Sequence, residues 1–367
     1  MSALELRGVD KSFGSTLALD GVDLRIEPGE LVTLLGPSGS GKTTLLNVVA
    51  GFDAPSAGEV VLRGRDISRM SPAQRDVGMV FQHYALFPHM TVAANIAYGL
   101  KVRRRPRAER ARRVAEMLEL LRLSGYGERY PRQLSGGEQQ RVALGRALAY
   151  DPEIVLMDEP LGALDRALRT EMEAEIRRLH HDLGATILYV THDQQEALAL
   201  SDRVAIMRGG RIVGAGTPED LYERPASAFV AKFFASANLL PVESYELVGS
   251  GARVRCAGQE LECPAPGHPS GPVSLVVRRR SLRGVPGPRS LTLAGVVADS
   301  LLLGDERQVI FDVPTVGRVV ALLDGRESEG MEIGAGLDLY VAWDEIVLVD
   351  DDAAVVGEAG APAWERA

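Results

Sequence analysis

The chain has 367 residues, 46% of them hydrophobic, which leaves room for two domains with real cores, and its formal net charge is −9. That acidic balance argues against general nucleic-acid binding, because affinity for phosphate backbones grows with clustered Lys and Arg. Two cysteines, Cys256 and Cys263, are too few for a disulfide scaffold or a four-ligand structural zinc site and read as ordinary thiols of a reducing compartment.

The N-terminal residues Met1-Ser-Ala-Leu-Glu-Leu-Arg7 lack a basic head followed by an apolar stretch, so no secretory signal is expected. No later run approaches the on the order of 18 apolar residues that a bilayer span requires. The first informative elements are a strand-like run, Leu31–Leu35, and a helix-like run, Thr44–Ala50. Between them stands Gly36-Pro37-Ser38-Gly39-Ser40-Gly41-Lys42-Thr43, the phosphate-loop pattern in its proper strand-to-helix context. Glycines let backbone N–H groups curl around phosphate, and the helix N-terminus adds a positive dipole. Lys42 offers a fixed charge for outer phosphates, and Thr43 a hydroxyl for Mg²⁺.

Next in the chain, Val80–Ile96 surrounds Gln82 with His83, Tyr84, Leu86, Phe87, Pro88 and His89. This is rich in aromatic and apolar groups for a loop, and both core packing and a partner surface account for it. The basic run Lys101–Arg113 leads into Val114, Met117, Leu118 and Leu121 at helical spacing, which predicts a solvated helix face rather than an anionic-lipid contact. Leu134-Ser135-Gly136-Gly137-Glu138-Gln139-Gln140-Arg141 follows; on its own, such a step is a loop entering a helix. Ile154–Met157 predicts a buried parallel strand ending in Asp158 and Glu159, and Thr186–Val190 predicts its neighbour, ending at Thr191 and His192.

To about residue 235 strand and helix patterns alternate, which predicts a doubly wound α/β core. Residues of about 90–150 read as a helical insert carrying the Ser135 step. Beyond Asn238 the texture changes to short β-rich stretches broken by Gly and Pro, such as Val273–Val277, Leu291–Val297 and Leu337–Trp343, a spacing that suits a small barrel. The tail, 351–367, is acidic and rich in Ala and Gly, and is expected to be disordered.

The order phosphate loop, Gln82, Leu134–Arg141, Asp158-Glu159, His192 resembles the ATP-binding cassette (ABC) family over residues 1–235. The resemblance implies an α/β phosphate-loop NTPase cassette with a helical subdomain. Over 236–350 it implies a small all-β OB-like barrel, similar to the accessory domain of importer ATPases. ATP and Mg²⁺ are the implied cofactors. Gly36, Pro37, Ser38, Gly39, Ser40, Gly41, Lys42, Thr43 and Thr44 would cradle the phosphates, and Phe13 would stack on adenine. Thr43, Gln82 and Asp158 would hold Mg²⁺. Glu159 would be the general base or water-orienting carboxylate, His192 the switch histidine, and Gln82 the sensor of the γ-phosphate. Ser135, Gly136 and Gly137 would complete the site of a second copy of the chain, and Asp165, in Leu161–Asp165, would lie in the loop by which two cassettes cross-talk.

The function implied is the ATP-hydrolysing subunit of an importer, a homodimer beneath two transmembrane permease subunits, peripheral at the cytoplasmic face of the membrane. An extracytoplasmic solute-binding protein would be an indirect partner, and no nucleic acid is expected. Gly216–Pro225 and Asn238–Pro241 are most similar to spermidine/putrescine-type ATPases, with ferric-iron, sulfate and sugar types as alternatives. A soluble ABC ATPase acting on ribosomes or DNA is a different class; such chains usually carry two cassettes or a long coiled-coil insert, and here there is one phosphate loop and no sustained heptad. A regulatory ligand for the C-terminal domain is also open.

Overall fold

The computed structural model describes residues 2–351 apart from 163, 250, 266–268, 270 and 325–330. The expectation of disorder for the tail therefore falls, from 352 onward, outside the described residues. The chain divides into two compact units, Met1–Pro218 and Glu219–Ala367.

In the first unit the strands are β1 (Leu4–Phe13), β2 (Thr16–Ile26), β3 (Leu31–Leu35), β4 (Ala57–Leu62), β5 (Arg65–Asp66), β6 (Val77–Val80), β7 (Ile154–Asp158), β8 (Ile187–Thr191), β9 (Arg203–Arg208) and β10 (Arg211–Gly216). The helices are α1 (Lys42–Ala50), α2 (Val92–Val102), α3 (Arg107–Leu120), α4 (Gly136–Leu148), α5 (Arg166–Leu183) and α6 (Gln194–Leu200). A six-stranded sheet runs β10-β9-β3-β8-β7-β6, parallel throughout except at the β9–β10 hairpin. A smaller antiparallel sheet runs β2-β1-β4-β5.

Both faces of the large sheet are covered, which is why its strands read as unbroken apolar runs. In β7, Ile154 and Leu156 join the core shared with α1 and the small sheet, while Val155 and Met157 join the core shared with α2, α3, α4 and α5. The expected helical insert is α2 to α4, and Val114, Met117 and Leu121 are its buried seam, with Leu118 partly buried against it. The arginines ahead of that seam are mostly exposed, and several meet carboxylates, as Arg103 does Asp76 at 2.9 Å. The consequence for function lies at the sheet edge. Neighbours β3, β8, β7 and β6 all end on the same side, and their carboxyl ends lead into the phosphate loop, His192, Asp158-Glu159 and Gln82 respectively.

The second unit contains α7 (Pro218–Glu223), most of which belongs to it, and α8 (Ala228–Phe234). Its strands are β11 (Asn238–Pro241), β12 (Ser244–Val248), β13 (Gly251–Cys256), β14 (Gln259–Pro264), β15 (Val273–Val277), β16 (Ser290–Leu303), β17 (Glu306–Val313), β18 (Gly317–Asp324), β19 (Gly336–Ala342) and β20 (Ile346–Asp350). Three antiparallel sheets, β11-β15-β20, β12-β13-β14 and β18-β17-β16-β19, share one apolar core that includes Leu261, Leu293, Val309 and Phe311. Alternation is clear in β15, where Leu275 and Val277 enter that core and Val276 faces the other way.

The compact division precedes the change of sequence texture at residue 236. Its cause is α8, whose Ala228 and Ala231 pack on Val276, Val347 and Val349 and so tie the helix to the second unit. Cys256 and Cys263 are free and buried, and burial pushes their thiols up to about 11 and about 12, so neither is a reactive thiolate at neutral pH.

Candidate active site

The loop from β3 to α1 requires glycine for steric and conformational reasons. A Cβ on Gly36 would lie 2.4 Å from the Met207 carbonyl oxygen, and Gly41, at φ +105°, would place one 2.7 Å from that of Ala18. Gly41 is the N-cap of α1 and offers no side chain, so the first-turn N–H groups are left for an anion. Ser40 adds a buried hydroxyl with no partner among the described residues. Lys42 is buried, and its Nζ donates to the carbonyls of Gly36 at 2.7 Å and Pro37 at 3.1 Å. Burial lowers its pKa, against the opposing pull of Glu159 and Asp158. An ammonium folded back on its own loop is a donor pre-placed for phosphate.

Five other predicted residues converge beside it. Thr43 Oγ1 donates toward Asp158 Oδ1 at 3.5 Å. Gln82 Nε2 donates toward Glu159 Oε2 at 3.4 Å, and His192 Nδ1 lies 3.1 Å from Glu159 Oε1. Glu159 has φ +43°, a left-handed conformation that a glutamate adopts only when its surroundings enforce it, and its N–H donates to the Val190 carbonyl at 2.9 Å. Burial, then the neighbouring Glu159, raises the pKa of Asp158. Two carboxylates side by side facing a lysine make a site that gains from a hard cation.

The donor set fits Mg²⁺ bound together with phosphate. Thr43 and Asp158 supply hydroxyl and carboxylate oxygens, which suit a small hard ion that keeps several waters. Among the described residues no group of three or more His, Cys, Asp or Glu could hold a metal by itself, so phosphate oxygens would have to share the coordination.

The remaining predicted residues stand apart from this group. Ser135 is the exposed N-cap of α4; it accepts from the Glu138 N–H at 3.4 Å while its own N–H donates to Glu138 at 2.7 Å, a capping box. Gly137 is buried against Leu168, where a Cβ would come within 2.8 Å, and the nearest neighbour of Gly136 is Leu164. Asp165 caps α5, accepting from the Leu168 N–H at 2.9 Å. Ser135, Gly136, Gly137 and Asp165 thus belong to one packed corner, the last three adjoining Leu164 and Leu168. No hydrogen bond or ion pair among the described residues joins them directly to Lys42, Asp158, Glu159 or His192. Phe13 closes β1 half-exposed, with Lys11 Nζ 4.8 Å from its ring centroid. The predicted residues thus fall into two groups, Lys42, Thr43, Gln82, Asp158, Glu159 and His192 at the end of the sheet, and Ser135, Gly136, Gly137 and Asp165 at the corner of α4 and α5.

Several supporting residues escaped the sequence reading. Arg75, 3% exposed, donates to four carbonyls, Val48, Val49, Met70 and Ser68, at 2.6 to 3.1 Å, and so caps the C-terminal end of the phosphate-loop helix. Glu196, also buried, accepts from Tyr189 Oη and Thr191 Oγ1 at 2.8 Å each, bracing the strand end that carries His192. Arg169 joins the Leu164 carbonyl at 3.3 Å to Asp193 at 3.1 Å. Glu196 is a lone charge in α6, but Arg75 stands beside Asp76 and Arg169 is one of many charges on α5, so the sequence does not single these two out.

Comparison with known proteins adds to this geometry. The family described as "ABC transporter" matches residues 19–162. The sulfate/thiosulfate import ATP-binding protein CysA of Rhodopseudomonas palustris is 50% identical over 283 residues, covering 76% of this chain and 80% of the relative. The spermidine/putrescine import ATP-binding protein PotA of Rubrobacter xylanophilus is 45% identical over 348 residues, covering 93% and 92%. The Fe(3+) ions import ATP-binding protein FbpC of Rhizobium etli is 46% identical over 312 residues, covering 84% and 88%. Among solved structures, the dimeric post-hydrolysis state of the ATP-binding cassette MJ0796 bound to ADP and Pi aligns with TM-score 0.51 and 33% identity, covering 58% of this chain and 98% of that one.

Proposed function

This chain belongs to the ATP-binding subunits of ABC transporters, hydrolysing ATP with Mg²⁺ to drive transport, and from that premise we propose that it powers an importer as one of two copies beneath a pair of membrane permease subunits. The observation that carries the reading is the meeting of Gln82 and His192 on Glu159, at 3.4 and 3.1 Å, beside the phosphate loop. Among the described residues no helix is long and apolar enough to cross a membrane, and in this proposal the permease subunits supply the pore. The subunit would work at the inner face of the membrane, with a solute-binding protein meeting the permeases on the far side. The second unit is read as the OB-type accessory domain, with the cassette spanning 1–235.

When bound, ATP supplies the reacting γ-phosphoryl group and Mg²⁺ neutralises its oxygens. Lys42, Ser38–Gly41 and the α1 amides hold and orient the phosphates, while Thr43, Asp158 and Gln82 would hold the cation. Glu159 Oε1 or Oε2 accepts the proton of the attacking water, and His192 keeps that carboxylate aimed. Because Ser135 and the α4 amides lie away from their own phosphate loop, they serve a γ-phosphate presented by the second copy. Closure of the dimer then depends on intact ATP, and hydrolysis undoes it. The test is Glu159→Gln with Mg²⁺ and ATP: light scattering should show a stable dimer that the wild type forms only transiently. A mutant that stays monomeric at saturating ATP would overturn the head-to-tail site.

For cargo we put forward a polyamine. The reported relatives divide among sulfate, polyamine and ferric-iron import at similar identity, but the alignment to the spermidine/putrescine protein extends through nearly the whole chain, second unit included. Cells carrying Glu159→Gln should lose uptake of labelled spermidine and keep uptake of sulfate and iron. Loss of sulfate or iron uptake instead would reassign the cargo.

A further inference from the structure

Two non-glycine residues in a row, Tyr84 at φ +59° and Ala85 at φ +46°, occupy the left-handed region just after Gln82. Such a pair persists only where something outside the loop holds it. The holder is Arg146, in the last turn of α4. Its guanidinium donates to the Ala85 carbonyl at 2.6 Å and the Tyr84 carbonyl at 2.9 Å, and it stands 5.4 Å from the Phe87 ring centroid. No carboxylate is among its hydrogen-bond or ion-pair partners in the described residues, and burial disfavours its charge. The cation and the strained carbonyls therefore need each other: a loop that moved away alone would leave a half-buried guanidinium without acceptors.

A second clamp continues the first. Asn95 of α2, fully buried, accepts from the Phe87 N–H at 2.9 Å and donates to the carbonyls of Phe87, Met90 and Thr91 at 3.0 to 3.2 Å. Phe87 also packs on Tyr98 of α2, with ring centroids 4.4 Å apart. Residues 84–91 are thus fastened to the helical subdomain, while Gln82 reaches Glu159 at the end of the sheet.

We infer that Arg146 is a positioning residue that latches the segment after Gln82 to the helix capped by Ser135, so that segment and helix respond to nucleotide as one body. A ligand that draws on the α4 N-terminus then displaces Gln82 from Glu159 through the helix. The inference rests on the reading of Gln82 as part of the nucleotide site and is independent of cargo.

The experiment uses the full chain with Arg146→Met and Arg146→Lys. Amides of Tyr84–Phe87 should exchange hydrogen about 10-fold faster in Arg146→Met without nucleotide, with α4 protection kept. Its kcat for ATP should fall roughly 10-fold with KM nearly unchanged, because the phosphate loop is untouched. Arg146→Lys, which keeps charge but not the fork, should show both effects at smaller size and covers the case of a misfolded Met variant. Ala85→Gly in the Arg146→Met background should restore part of kcat, since glycine needs no support at positive φ. In a Gln82→Ala background, Arg146→Met should cost nothing further. Unchanged exchange, or an equal loss of kcat in the Gln82→Ala background, overturns the latch. If Gln82→Ala alone leaves turnover intact, the functional reading of Gln82 falls, and the exchange result decides the latch by itself.

Discussion

In the first unit Lys42, Arg75 and Glu196 are only 6%, 3% and 3% exposed, whereas in the second the buried polar side chains among the described residues are the hydroxyls of Ser227, Ser274 and Ser281. Burying a charge is costly unless it is met by good acceptors or donors, so the first unit carries a burden that the second avoids. The two cations are answered by backbone, two carbonyls of the phosphate loop for Lys42 and four carbonyls for Arg75, and Glu196 by the hydroxyls of Tyr189 and Thr191. The places so held are the phosphate loop, the far end of the helix that follows it, and the strand end that carries His192. The second unit is held instead by alternating aliphatic strands around Phe311 and Leu293, a core any sequence of the right pattern can supply. Among the described residues, the buried charges and the predicted site residues lie in the same unit.

The largest effects should come from the charges that face the phosphates. Glu159→Gln should lower turnover by roughly 100-fold or more while ATP still binds, as expected when a general base loses its charge. Phosphate release paired with equilibrium nucleotide binding checks both halves; near wild-type turnover would move the base elsewhere. Lys42→Ala should weaken ATP binding by about 10- to 100-fold, the worth of one charge-assisted hydrogen bond. Its pocket is already wired to the carbonyls of Gly36 and Pro37, so an unchanged affinity would mean that those contacts are its whole purpose.

The same contrast explains what could be read without coordinates. Phosphate chemistry forces residue types at fixed spacing, so Lys42, Thr43, Asp158, Glu159 and His192 were legible, and four adjacent strands do bring them together with Gln82. Arg75, Arg146 and Asn95 were not legible, because their partners are backbone carbonyls or amides, near in the chain for Asn95 and far for the Arg146 contact to Ala85, and a backbone group leaves no mark in sequence. The texture of the sequence changes near residue 236, whereas the compact division falls at residue 218. The apolar face of α8 cannot announce from its own residues that it will lie on Val276 and Val347.

A paired comparison of intermediate size tests the division of labour. Arg75→Met removes the donor to four carbonyls and should cost on the order of 3 kcal/mol of stability, with ATP affinity falling as the phosphate-loop helix loses its C-terminal cap. Phe311→Ala should cost about 3–5 kcal/mol in the second unit's core and leave turnover per folded molecule unchanged. Melting curves and ATPase assays on the full chain separate the two. A Phe311→Ala protein with impaired nucleotide binding would show that the β unit is more than a scaffold for the cassette.

The smallest expected effect is a dependence on pH between the ordinary carboxylate range and neutrality, carried by a buried carboxyl of the first unit. Burial raises the pKa of Glu196, opposed by the hydroxyls of Thr191 and Tyr189; Asp193 adds to the rise, and Arg169 opposes it. A carboxyl whose folded pKa lies above its unfolded value binds its proton more tightly in the folded state. Its stabilising contribution is then present in full below the unfolded pKa and is lost as pH rises toward the folded one. Glu196→Gln cannot titrate, yet it keeps an oxygen for the hydroxyls of Tyr189 and Thr191, which lie 2.8 Å from the native carboxylate. The melting temperature of the wild type relative to Glu196→Gln should therefore decline as pH rises from the ordinary carboxylate range toward neutrality. A difference that stays flat, or that grows with pH, would mean that Arg169 and the two hydroxyls hold Glu196 ionised throughout, and that the brace behind His192 is an ion pair rather than a proton-bearing network.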